Sequence, residues 1–256
     1  MSMVRLNDVR THLRNVYQRY NARRVIARCP ADTIHVLHIR KCAGTTLRSL
    51  FQNAPSLPPI LFHEHAVTLR DIPVGQQIIY SIRNIDARFV SGFLCRQRMG
   101  KPMYDFPHVG EERWAFSRFQ SPEALASAIG QQGLKGDVGR AMRGITHLRY
   151  DLRYWLHTQD YLKKRRPDIV GVLRQESLTD DLVELRARVP NLIGLPESAT
   201  KDAGSLEHVF LHRNPHQHAP LAVPLSNNVR AWYAAELPLF EESLRIREEL
   251  RNQGAI

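Results

Sequence analysis

The run Thr33-Ile-His-Val-Leu-His-Ile39 constrains this chain most, because it passes without a break into Arg40-Lys-Cys-Ala-Gly-Thr-Thr46 and then into the apolar-periodic residues 47–51. A short β-branched stretch predicts a buried strand, and the spacing after the loop predicts a helix. Strand, tight loop and helix in direct succession bring free backbone N–H groups and the positive end of the helix dipole to one point, where phosphate binds well. Gly44 lets the backbone approach closely, Lys41 supplies a mobile cation, and Thr45 and Thr46 add hydroxyl donors at the first helical turn.

The same grammar repeats. Gln77-Ile-Ile-Tyr-Ser-Ile82 reads as a second buried strand, ending in Arg83-Asn84 and leading into a helix through Phe89, Phe93 and Leu94. Asp168-Ile-Val-Gly-Val-Leu-Arg174 reads as a third, followed by a helix over 178–189. Strands alternating with helices predict an α/β fold with a mostly parallel central sheet flanked by helices. At 256 residues one such domain accounts for the whole chain. It would comprise a helical extension over 1–30, a core over 33–190, and a loop with a C-terminal helix over 191–256.

Between these elements, 60–69 reads as a short extended segment, 99–119 as an irregular excursion able to lid a cleft, and Ser121-Pro-Glu123 as a helix start. Residues 152–164 carry one helical segment. Residues 226–250 return to helical spacing with a kink at Pro238.

Residues Leu6, Val9, Leu13, Val16 and Tyr20 recur at spacings of three and four with arginines between them. This predicts a basic amphipathic helix whose apolar stripe packs onto the domain, with peripheral membrane contact as the alternative. The first twenty residues hold no apolar stretch of signal-peptide length, and no uncharged run approaches the roughly 18 residues that span a bilayer, so a cytoplasmic protein is expected. Cys29, Cys42 and Cys95 are odd in number and form no CxxC pair, which argues against a disulfide framework or zinc knuckle. The net charge of +11 points to anionic partners without choosing among nucleic acid, acidic lipid, phosphate cofactors and anionic glycans.

The loop is not that of the nucleotide triphosphatases, whose Lys follows a second Gly; here Lys41 precedes Gly44 by three positions. Those enzymes hold magnesium with an acid at the second strand, whereas this second strand ends in Arg83. Ser91 follows Arg83 by eight residues, a spacing at which the two could meet at a second anion.

These motifs carry a resemblance. His38-Ile-Arg-Lys-Cys-Ala-Gly-Thr-Thr-Leu47 is similar to the 5′-phosphosulfate loop of sulfotransferases that use 3′-phosphoadenosine 5′-phosphosulfate (PAPS), written IPKTAGTTL in the carbohydrate-type branch. The stretch from Ile82 to Phe93 resembles that family's 3′-phosphate motif, and Gly171 to Leu182 more weakly resembles a later strand-to-helix segment. Arg40 replaces the family's Pro, Cys42 its Thr, and Asn84-Ile85 its Asp-Pro.

The resemblance implies a P-loop-like sheet, PAPS as the donor cosubstrate with no metal required, and a hydroxyl acceptor, with a glycan or glycolipid as the expected class. It assigns PAPS binding to Arg40, Lys41, Cys42, Ala43, Gly44, Thr45, Thr46, Arg83 and Ser91, with Arg213 a further contact from a cofactor-covering loop. Lys41 would stabilise charge in the transition state. The base would come from His63-Glu64-His65, which resembles the His-x-His stretch of uronyl-type sulfotransferases: His65 first, Glu64 second, His63 beside them. His212, His216 and His218 lack an accompanying Cys or acid, so a metal site is not expected. A magnesium-dependent kinase-like enzyme and a basic nucleic-acid-binding protein are the two alternative readings; the first reading excludes nucleic acid as a partner.

Overall fold

The computed structural model describes residues 3–52, 59–102, 104–189, 192 and 219–253. In chain order the first half holds α1 (Met3–Ile26), β1 (Ile34–Leu37), α2 (Gly44–Gln52), β2 (Ile60–Phe62), β3 (Gln77–Ile82) and α3 (Ile85–Gln97). Then come α4 (Gly110–Arg118), α5 (Pro122–Ile129), α6 (Lys135–Gly144), α7 (Leu152–Leu156), α8 (Gln159–Lys164), β4 (Ile169–Arg174) and α9 (Leu178–Arg188). The chain closes with α10 (Val223–Trp232) and α11 (Leu237–Gln253). The backbone groups into two compact units: a sheet unit of residues from 15–83, 152–192 and 238–253, and a helical unit of residues from 84–151 and 219–237 together with 3–14.

The sheet unit is α/β. Its four strands run parallel in the order β2-β1-β3-β4, with His35 opposite Leu61 and Ile78, and Tyr80 opposite Leu37 and Val172. Parallel strands are buried on both faces and so read as continuous apolar runs, which is why β1, β3 and β4 stand out in the sequence. On one face, Ile34, Val36, Ile79 and Leu173 pack with Leu47, Leu50 and Phe51 of α2 and with Leu178, Leu182 and Leu185 of α9. On the other, the Tyr80 hydroxyl reaches Ser243 of α11 at 3.0 Å.

Two buried arginines tie the unit together. Arg165 donates to Asp168 at 2.6 Å and to the carbonyls of Leu69, Ile72 and Pro73 at 2.8, 3.0 and 3.0 Å. Arg247 of α11 reaches Asp181 of α9 at 2.5 Å, and Asp181 also accepts the Arg174 amide at the end of β4. Each guanidinium is paired and hydrogen-bonded, the condition under which a buried charge is tolerated.

The helical unit has its own core, built from Phe89, Phe93, Ala115, Leu125, Met142 and their neighbours. Ser121 caps α5 by accepting from the Ala124 amide at 3.2 Å, with Pro122 at the first helical position, as the sequence predicts. The expected irregular stretch over 99–119 is corrected by α4. Its Glu112 is buried against Arg96 at 2.7 Å and accepts the Thr146 amide at 3.0 Å, so a charged side chain occupies a core position and hides the apolar period.

Two further boundaries differ from expectation. The single helix over 152–164 is two, α7 and α8, because His157 takes φ 77° and Thr158 caps α8 by accepting from the Tyr161 amide. The kinked helix over 226–250 is likewise α10 and α11, with Pro238 in the first turn of the second, where its missing N–H costs nothing. α1 departs more. Its stripe residues Val16 and Tyr20 are exposed, and the helix is held instead by Arg19 and Arg23 on the carboxylate of Asp71 at 3.0 and 2.8 Å.

Candidate functional site

Residues 38–43 carry the chain from β1 into α2, and the turn is strained at two points: Lys41 and Ala43 both hold φ at 62°. For a residue with a Cβ that left-handed conformation costs about 1–2 kcal/mol, and it persists only where the surroundings impose it. Here the neighbouring strand does so. The Ser81 hydroxyl donates to the Cys42 carbonyl, and Arg83 Nη1 donates to the Lys41 carbonyl at 3.3 Å. The end of β3 thus holds the loop that leaves β1.

Leu47 donates to the Ala43 carbonyl at 3.0 Å, which makes Ala43 the residue from which α2 starts. The amides of Gly44, Thr45 and Thr46 therefore have no carbonyl within the helix to bond, and α2 offers donors and a positive dipole end. Thr45 is exposed, Arg40, Lys41 and Ala43 are half-buried, and Gly44 and Thr46 are buried. Cys42 is fully buried, so its thiol faces the core and its share in an anion site is its backbone.

Gly44 is required by packing. A Cβ there would fall 2.0 Å from His38 Cδ2, on top of the imidazole ring. That ring is wedged in place: its centroid lies 3.7 Å from the His65 ring and 5.1 Å from the Phe62 ring, which it meets edge-on. Gly44, His38 and His65 form one stack beside the loop.

His65 is fixed through both its ring and its backbone. Its Nδ1 lies 3.0 Å from the His38 carbonyl, and Trp155 Nε1 donates to the His65 carbonyl at 2.9 Å. A carbonyl only accepts, so Nδ1 carries the hydrogen and Nε2 keeps the lone pair. Burial and then the charge of Arg40 push His65 down to about 3, with Arg48 and Lys41 adding to the effect and the bond to the His38 carbonyl opposing it. The imidazole is neutral at pH 7 and sits in a field of positive charge.

The other two candidates from the triplet part from it. His63 is buried, with Nε2 at 2.9 Å from His35 Nδ1 and the two rings nearly parallel, so it belongs to the packing of the sheet rather than to the loop. Glu64 is exposed and paired with Arg48 at 2.9 Å; the same guanidinium lies over the Phe62 ring at 4.8 Å. Ser91 is a half-buried residue of α3 in the helical unit. Arg213, His212, His216 and His218 lie outside the described residues.

Ser81, His38 and Trp155 are the positioning residues that sequence reasoning misses. Ser81 leaves a trace, as the one small hydroxyl residue in the strand run Gln77–Ile82. Trp155 leaves none, since its contact to His65 joins residues ninety positions apart. Among the described residues no cluster of His, Cys, Asp and Glu has the arrangement of a metal site. No family model, no characterised protein and no solved structure matches the chain.

Proposed function

We propose that this protein is a sulfotransferase that moves a sulfuryl group from PAPS to a hydroxyl, with a carbohydrate as the acceptor class. The observation that carries the reading is the loop from His38 to Ala43. Its carbonyls are drawn toward β3, its Lys41 and Ala43 are held left-handed, and a neutral, oriented His65 stands beside it in a field set by Arg40, Lys41 and Arg48. Positive charge and free amide donors at a strand-to-helix turn suit a phosphosulfate, and the resemblance of residues 38–47 supplies the identity of that anion. On the same reading the parallel sheet is of the P-loop-like kind, and Arg83, which follows β3, is the residue assigned to the 3′-phosphate.

In the reaction, an acceptor oxygen bonds to sulfur while the bond from sulfur to the bridging phosphate oxygen breaks. His65 Nε2 takes the hydroxyl proton, because Nδ1 is committed to the His38 carbonyl; burial and the charges of Arg40, Arg48 and Lys41 make it a weak base, and the negative charge of the donor offsets those cations and raises its basicity. Negative charge grows on the departing phosphate, where Lys41 and the amides of Gly44 to Thr46 stabilise it by donors that need no reorganisation. Stacking against His38 and the bond from Trp155 keep the base in position.

Titration calorimetry of the protein with adenosine 3′,5′-bisphosphate in EDTA tests the donor assignment, with ADP and magnesium as comparator and Lys41→Ala and Arg83→Ala as controls. Metal-free binding that both substitutions abolish is the expected result. A preference for ADP with magnesium would transfer the loop to the kinase-like reading, and the absence of any nucleotide binding would remove the proposal.

A further inference from the structure

α1 turns its apolar side outward. Val16, Tyr17 and Tyr20 are 51%, 65% and 58% exposed, and Leu13 on the same helix is 60% exposed. Spacings of three, four and seven from Leu13 place all four on one side of the helix. A surface helix ordinarily buries such a stripe and leaves its charges to water. Here the stripe stays exposed, and the helix is held from the adjacent flank by Arg19 and Arg23 on Asp71 and by the buried Ile26.

The charges around the stripe are of one sign. Residues 13–28 contain Arg14, Arg19, Arg23, Arg24 and Arg28 and neither Asp nor Glu. Arg14, Arg24 and Arg28 are exposed, and the Arg24 guanidinium lies over the Tyr20 ring at 5.8 Å. A second copy of this face is a poor occupant, because pairing the stripes would bring arginines together with no acid between them. A single convex helix side also offers no groove in which to seat a peptide. An anionic bilayer surface satisfies both features: aliphatic tips enter the acyl boundary, tyrosine rings sit at headgroup depth, and guanidinium groups reach lipid phosphates.

We propose that α1 is a peripheral membrane-binding element that lays Leu13, Val16, Tyr17 and Tyr20 into the interface of an anionic bilayer. The helix lies on the membrane without crossing it, and no helix among the described residues is long and apolar enough to cross. This inference does not rest on the sulfotransferase reading.

The test is co-sedimentation of the full chain with phosphatidylcholine vesicles containing phosphatidylglycerol, against vesicles of phosphatidylcholine alone. Binding to the anionic vesicles only is expected. The partition constant should fall about fivefold for each arginine removed in Arg24→Gln and Arg28→Gln, and on the order of tenfold or more in the triple variant Val16→Ser, Tyr17→Ser, Tyr20→Ser. These side chains are exposed, so the thermal midpoint should not move, and an unchanged melt confirms that each variant is folded. Anionic-vesicle binding that the triple variant retains in full would overturn the proposal by placing the contact on another basic surface. Absence of vesicle binding would overturn it as well. So would self-association that the triple variant abolishes, which would make the stripe a contact between copies.

Discussion

His65 Nδ1 stands 3.0 Å from the carbonyl oxygen of His38, and the two imidazoles lie in contact, tilted at 33° with centroids 3.7 Å apart. One residue therefore sets both the tautomer and the tilt of the other. The base of the proposed reaction is held by the loop proposed to bind its donor, so events at the loop reach the base without an intermediary.

Replacing His65 by Gln removes the proton acceptor while leaving a side chain able to donate to the His38 carbonyl. Transfer to a hydroxyl acceptor should slow by about 10²–10⁴-fold, the usual contribution of a positioned base. The dissociation constant for adenosine 3′,5′-bisphosphate should stay within about threefold. Single-turnover rates paired with calorimetry check the split; equal losses in both would make His65 a binding residue.

Gly44→Ala should act through His38. The added Cβ lies 2.0 Å from His38 Cδ2, and neither the ring, stacked on His65, nor the helix backbone can yield freely. Overpacking of this kind costs about 1–3 kcal/mol, and the bisphosphate should bind more weakly because the loop must shift. The double variant Gly44→Ala, His38→Ala makes room for the methyl group and should recover binding while leaving turnover low, since His65 loses its stacking partner. Urea unfolding and calorimetry on the three proteins check this.

The parts of this architecture that can be read from the sequence are those set by local pattern. β1, β3 and β4 are buried on both faces and appear as apolar runs, and the order of strand, tight loop and helix around Lys41 and Gly44 is the turn from β1 into α2. What escapes is set by partners distant in sequence. Glu112 hides α4 because Arg96 makes a core position acceptable to a carboxylate. α6 carries Gly136, Gly139 and Gly144, which depress its helical propensity. The strand β2 lies at the start of the extended segment expected over 60–69, and its three half-buried residues are too few for a period to fix its bounds. The apolar stripe of α1 stays exposed because Arg19 and Arg23, on the flank beside it, dock the helix on Asp71. In the triplet His63-Glu64-His65 the residue types are legible but their directions are not, as only the pairing of His63 with His35 separates the core residue from the candidate base.

The left-handed turn gives a contrast between two neighbouring glycine substitutions. Ala43→Gly relieves φ 62° at a position with no charged group, and should stabilise the protein by roughly 0.5–1 kcal/mol, once the greater freedom of glycine in the unfolded chain is set against the relief. Its affinity for adenosine 3′,5′-bisphosphate should not change. Lys41→Gly relieves the same strain but removes the ammonium group, so stability should rise while affinity falls by tenfold or more. Urea midpoints and calorimetric titrations on both variants read the two quantities separately, and a loss of stability in both would show that the loop is not strained.

The buried pair His35 and His63 should make the fold sensitive to acid. Burial lowers His35 to about 4 and His63 to about 3, with the neighbouring His35 adding to the shift of His63. Unfolded, each titrates near 6.5, so between about pH 6.5 and pH 4 the unfolded chain binds protons that the folded chain refuses. Stability is therefore fully present above pH 6.5 and falls as the pH drops through that window. The limiting slope is about 1.4 kcal/mol per pH unit for each histidine, or nearly 3 for the two together. The variant His63→Gln has one such proton fewer and should show about half of the pair's contribution, whatever its stability at pH 7. Urea unfolding at pH 7, 6, 5 and 4.5 measures both slopes, and a profile for the variant as steep as that of the parent would show that the pair is not the source of the acid sensitivity.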